Sequence, residues 1–121
     1  MDEKVQQKKL VRQQRKFHKL MGSGGIKNLI PLAERGQPNE TITIKRAVEY
    51  AAIRTPIGAR LVLDQEGRLW NLACGILEQD GREAIHLDYP IEITFGPDGQ
   101  ALKAVMLRPK FDPDAYMGNY F

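Results

Sequence analysis

Between residues 60 and 108 the chain alternates short apolar runs with polar turns, and this pattern organises the rest of the sequence. The runs are separated by three turn sequences that each end in glycine. These are Asp64-Gln65-Glu66-Gly67, Glu78-Gln79-Asp80-Gly81 and Gly96-Pro97-Asp98-Gly99. A glycine at the end of a turn supplies the positive φ that closes a tight hairpin. The pattern therefore predicts an antiparallel meander of four or five strands.

The predicted strands are of two kinds. Ile91, Ile93 and Phe95 alternate with polar residues, as expected of a strand with one buried and one solvated face, and residues 82–87 show a similar alternation. Residues 69–76 and 101–107 are instead apolar on both sides. Such strands are either covered on both faces or curled into a small, partly open barrel.

One amphipathic helix is predicted directly before the meander. From about residue 43 to residue 53, apolar side chains recur at helical spacing, and Thr43 is a suitable N-terminal cap. Thr55 and Pro56 would end this helix. We expect it to lie on one face of the sheet, which makes the fold class α+β.

The first 21 residues form a basic arm. They contain no Gly or Pro and favour a helix, with a thin apolar stripe at Leu10, Phe17 and Met21. The expected organisation is a basic helical arm at 1–21, a flexible Gly/Ser linker at 22–25, a single α+β domain at 26–108 and an irregular aromatic tail at 109–121. Because the linker also resembles an artificial one, a further alternative is that residues 1–20 are foreign to the domain.

Composition limits the class of protein. A chain of 121 residues with 42% hydrophobic and 27% charged residues fits one globular domain. No apolar run reaches the length of a membrane span, and the N-terminus is charged where a signal peptide would be apolar. The single cysteine, Cys74, suits a buried thiol in a reducing compartment. We therefore expect a cytoplasmic protein with no membrane association.

The charge is unevenly distributed. The formal net charge of +3 divides into +5 for residues 1–21, with seven bases against two acids, and −2 for the remainder, with eleven bases against thirteen acids. A tethered basic helix neutralises phosphates in a largely sequence-independent and salt-sensitive way. The predicted nucleic-acid contacts are Lys8, Lys9, Arg12, Arg15, Lys16 and Lys19. We therefore expect a small non-enzymatic binding or accessory module.

An assembly subunit is the alternative function. In that case the arm helix and the tail would bind a protein partner or a second copy of the chain, with Phe17, Tyr116, Tyr120 and Phe121 as anchors. Two simpler interpretations stay open. The arm helix could pack on its own domain, and the tail aromatics could cover an exposed side of the sheet.

The sequence offers little catalytic chemistry. Ser23, the single serine, lies in the glycine linker, where a nucleophile would lack a rigid scaffold. Cys74, His86 and Asp88 form the one cluster worth weighing, but the strand pattern points His86 and Asp88 to solvent and Cys74 into the core. We therefore expect no enzyme activity, no metal site and no cofactor.

Overall fold

The structure of the protein is a computed structural model that describes residues 3–52 and 58–108, with side chains for 7–23, 25–52 and 58–108. Within these ranges the chain forms one α-helix, two short 3₁₀ turns and seven strands. Their bounds are α1 Glu3–Gly24, 3₁₀ turns Gly25–Asn28 and Ile30–Leu32, β1 Thr41–Ile44, β2 Ala47–Ala52, β3 Arg60–Asp64, β4 Leu69–Asn71, β5 Ile76–Glu78, β6 Ile91–Phe95 and β7 Ala101–Met106. The α+β class is confirmed.

The strands form two sheets, neither of which closes into a barrel. One sheet has the order β2-β3-β4 and is an antiparallel meander. The other has the order β1-β6-β7-β5, in which β6 and β7 form a hairpin and β5 pairs with β7 in parallel, with Ile76 opposite Ala104. The meander expected from the sequence is thus divided between two layers.

Two hydrophobic cores hold three layers together. The inter-sheet core lies between the two sheets and contains Ile44, Val62, Trp70, Leu72, Ile76, Ile91, Ile93, Phe95, Ala104 and Met106. The helix core lies between the three-stranded sheet and α1 and contains Phe17, Ile26, Leu29, Ala51, Ala59, Leu61, Leu63 and Leu69. Because side chains alternate along a strand, β3 sends Val62 to one core and Leu61 and Leu63 to the other.

The three glycine turns are confirmed and share one geometry. Gly67, Gly81 and Gly99 have φ values of 80°, 89° and 79°. In each turn the glycine N–H donates to the carbonyl oxygen three residues earlier, at 3.0, 2.9 and 3.0 Å. Such turns end in a residue with positive φ, which glycine adopts without steric cost.

The predicted helix at 43–53 is wrong, since the described residues of this segment, 43–52, form the end of β1, a short connection and β2. Thr41–Ile44 alternates β-branched threonine and isoleucine, a pattern that fits a strand better than a helix. The apolar residues also serve different cores, because Ile44 packs between the sheets and Ala51 packs towards α1. The helical spacing of the apolar residues arises by chance, because two short strands follow one another with Lys45 and Arg46 between them.

The predicted strand at 82–87 is also wrong. This segment makes a single isolated bridge, between Leu77 and Glu83, and Ile85 is 84% exposed. An alternating sequence becomes a strand only beside a partner with a free edge. Here β5 is an edge strand of only three residues, so the following segment joins its free edge briefly, through hydrogen bonds from the Glu78 N–H to the Arg82 carbonyl and from the Ala84 N–H to the Ile76 carbonyl.

Helix α1 supplies the cover that the segment 43–53 was expected to supply. It continues through Ser23 to Gly24, and Gly25, with a φ of 74°, takes the left-handed conformation that ends a helix. Phe17 is 5% exposed and belongs to the helix core. The Gly/Ser sequence therefore forms the last turn of a docked helix.

Candidate nucleic-acid interface

The inner face of α1 is apolar and fully engaged with the rest of the chain. Phe17 is buried, and Leu10, Leu20 and Met21 pack half-buried against the same core. Phe17 was predicted as an anchor for a partner, and the structure corrects this. Its ring packs on the domain itself, because the apolar stripe of α1 faces residues of the three-stranded sheet.

The outer face of α1 is a basic stripe of six exposed side chains. With about 100° between successive helical residues, the six span an arc of about 120° on the side turned away from Phe17. They are Lys8, Lys9, Arg12, Arg15, Lys16 and Lys19, all classed as exposed. The structure thus brings all the predicted nucleic-acid contacts onto one surface.

The basic stripe has no acidic neighbour along the helix. No Asp or Glu occurs between Glu3 and Glu34, and none of the ion pairs among the described residues includes a stripe residue. Like charges three and four residues apart repel one another on a helix surface. The stripe is therefore strongly positive, and the core contacts on the inner face keep the helix folded against that repulsion.

Polar contacts fix one flank of α1 to β2. The Glu49 carboxylate lies 2.9 Å from Nε2 of His18 and accepts a hydrogen bond of 3.3 Å from Gln14. His18 and Gln14 lie one helical turn apart, so the same carboxylate holds both. This contact sets how far the stripe is rotated relative to the sheet.

The Cys74, His86 and Asp88 cluster is not assembled. His86 and Asp88 are exposed, as predicted, but Cys74 is exposed too, whereas a packed thiol was expected. The chain leaves β4 at Asn71, so Cys74 lies in a turn, where the alternation of a strand no longer applies. Neighbouring groups desolvate the sulfur and raise the pKa of the Cys74 thiol, and a nucleophilic thiolate needs the opposite shift. Among the described residues, no group of three metal-binding side chains forms.

Sequence reasoning missed a buried polar centre at Asp64. Because Asp64 begins a turn sequence, it was interpreted as a residue that simply favours turns, but it is 2% exposed. It accepts hydrogen bonds of 2.9 Å from the backbone N–H of Glu66, from that of Arg68, and from Nε1 of Trp70. A tryptophan six residues after a turn aspartate was the signal, since a buried indole N–H needs an acceptor.

The predicted tail anchors Tyr116, Tyr120 and Phe121 lie outside the described residues. None of the described helices is long and apolar enough to cross a membrane. No protein-family model, curated protein or solved structure matches this chain. Function is therefore inferred from the geometry of the molecule alone.

Proposed function

We propose that the protein is a small non-enzymatic module that binds nucleic acid through the basic stripe of α1, largely independently of sequence. The observation that carries this proposal is the placement of six bases on one exposed arc of a helix whose other face packs in the helix core, with none of the six in an ion pair among the described residues. Lys and Arg on such an arc contact phosphate oxygens and release counterions. A docked helix presents them in a fixed arrangement, which lowers the entropic cost of binding.

Two other occupants fit the stripe less well. An amphipathic helix binds lipid through its apolar face, but in α1 this face is occupied by the helix core. A second copy of α1 packed on the stripe would bring like charges together, and Val11, 45% exposed, offers little apolar surface there. A polyanion with regularly spaced charges suits the stripe better.

The test compares two variants of equal net charge. In the stripe variant, Lys8, Arg12, Arg15 and Lys19 are replaced by Gln, which keeps helix propensity. In the control, the four exposed bases Lys27, Lys45, Arg46 and Lys103, all outside α1, are replaced by Gln. Both variants lose four positive charges, so a difference between them reports position rather than net charge.

The measurement is fluorescence anisotropy of a labelled oligo(dT) strand over a salt series. We expect the unmodified protein to lose affinity by up to about three-hundredfold between 50 and 200 mM salt if all six bases contact phosphates of the single strand. The stripe variant should bind at least about tenfold more weakly than the control, with a shallower salt slope. Equal losses in the two variants, or affinity independent of salt, would exclude the proposal.

Substitution is preferable to deletion of the helix. Removing α1 would expose Leu61, Leu63 and Leu69 of the helix core to water, and any loss of binding could then reflect unfolding. Sedimentation of the intact chain addresses the alternative function, an assembly subunit. A mass that rises with concentration in the absence of nucleic acid would favour that alternative.

A further inference from the structure

A groove runs between α1 and the turn that joins β3 to β4, which we call the flank groove. It has a volume of about 220 Å³. Leu29, Leu63 and Leu69 form part of its apolar lining, and Leu32, 44% exposed, lies beside them. Pockets for drug-sized ligands are larger, so this groove has room for one small planar group.

The stripe and the flank groove share two residues. Lys9 and Lys16 belong to the edge of the basic stripe and also line the groove, two helical turns apart. Any nucleic-acid strand held by the stripe therefore passes beside the groove. A strand whose bases are free to turn outwards could place one of them there.

Arg68 also lines the flank groove, together with Glu34. Its guanidinium lies over the Trp70 ring, with the carbon 4.5 Å from the ring centroid, and its Nε donates to Glu34 at 3.0 Å. These two contacts fix the orientation of the guanidinium, and the Arg68 side chain keeps 40% of its surface exposed. Unstacked bases stack on guanidinium planes as they do on aromatic rings.

We propose that the flank groove binds one unpaired base of a single-stranded nucleic acid. The base stacks on Arg68 and contacts the leucine lining, while neighbouring phosphates lie at Lys9 and Lys16. This inference rests on the proposed function and names its substrate class. A duplex keeps its bases stacked inside, so it would contact the stripe and leave the groove empty.

The test uses conservative substitutions with matched controls. Arg68→Lys keeps the charge and removes the plane, and its control is Arg82→Lys, at a side chain 78% exposed in another turn. Leu32→Ala removes apolar lining, and its control is Leu102→Ala, at an exposed leucine of β7. Each protein is titrated with a labelled oligo(dT) strand and with a dA·dT duplex of the same length.

We expect the unmodified protein to prefer the single strand. Arg68→Lys and Leu32→Ala should each weaken single-strand binding by about fivefold and leave duplex binding within about twofold, while both controls behave as the unmodified protein. Thermal unfolding of each variant identifies any that is not folded. Because Leu32 is exposed, its variant keeps the test valid if Arg68→Lys loses stability.

Failure of this inference is distinct from failure of the proposed function. Equal affinity for duplex and single strand, or groove variants that match their controls, would exclude the base site and leave the basic stripe intact. If the stripe variant and its control lost affinity equally, this would instead exclude the proposed function, and the base site with it.

Discussion

Among single residues, Asp64 is the buried acceptor on which three hydrogen-bond donors depend. One carboxylate satisfies two backbone donors of the β3–β4 turn and the indole of Trp70. Trp70 in turn supports Arg68. The turn, the inter-sheet core and the wall of the flank groove therefore meet at one buried acceptor.

Replacing Asp64 should destabilise the protein strongly. Asp64→Ala leaves the buried indole N–H and two partly buried backbone N–H groups without their acceptor, so we expect the free energy of unfolding to fall by about 3 kcal/mol. The matched control is Asp98→Ala, because the exposed Asp98 carboxylate accepts one N–H, from Gln100 at 3.3 Å. Its loss should cost about 1 kcal/mol or less. Urea denaturation of both variants checks the difference, and similar midpoints would contradict it.

Cys74 should react slowly for an exposed thiol. Partial burial raises its pKa, opposed by a hydrogen bond from the backbone N–H of Cys74 and by the charge of Arg60. A raised pKa lowers the thiolate fraction at neutral pH, and below the pKa the rate should rise about tenfold per pH unit. Labelling the folded protein with a thiol reagent at several pH values measures this. A thiol that reacts fastest near pH 6 would contradict the raised pKa, and one that is labelled only after unfolding would contradict its exposure.

At the scale of elements, the glycine turns were readable from the sequence and the strands around them were less so. A turn depends on a local conformation that glycine alone adopts easily, so the turns at Gly67, Gly81 and Gly99 can be predicted from the sequence. A strand depends on a partner, and nothing in residues 82–87 reveals that the neighbouring β5 is only three residues long. The same reason explains the segment 43–53, whose spacing fits a helix until its two partners are known.

Two of these glycines should differ in their tolerance of a side chain. Both have positive φ, but a Cβ at Gly81 would meet nothing within 4 Å, whereas one at Gly99 would clash with the carbonyl oxygen of Gly36. We expect Gly81→Ala to cost about 1 kcal/mol and Gly99→Ala about 3 kcal/mol or more. Thermal unfolding of the pair tests this, with equal shifts as the contrary result.

Docking of α1 is tested on the helix itself. Phe17→Ala removes a buried ring from the helix core and should lower the free energy of unfolding by about 3 kcal/mol. Val11→Ala, on the exposed side of the same helix, should change it by about 0.5 kcal/mol or less. Circular dichroism with urea denaturation measures both. If Phe17→Ala were also neutral, the helix would not be part of the fold.

At the scale of the whole molecule, the sequence indicated the composition of the site better than its setting. The six bases, their helix and the charge division were all visible in residues 1–21. The groove was not, because it is formed by residues distant in the chain, such as Lys16, Leu29 and Arg68. The groove forms where α1 packs on β3 and β4, and no local sequence pattern indicates that packing.

Because the stripe and the helix core share one helix, a bound polyanion should stabilise the entire fold. A ligand at a hundred times its dissociation constant adds about 2.7 kcal/mol to the free energy of unfolding. For a chain of this size, the melting temperature should therefore rise by several degrees with saturating oligo(dT) at low salt. The rise should vanish at high salt and in the stripe variant, whereas a rise that persists in either would point to another binding surface.

Phe17 packs on strands that lie far along the chain, and this determines the order of events during synthesis. Helix α1 is made before the strands on which it packs, and an isolated helix of this length is marginal in water. Its partners Leu61, Leu63 and Leu69 appear only after most of the following chain has been made. Until then the basic helix has no sheet to pack on, so its stable folding waits for translation to pass β4.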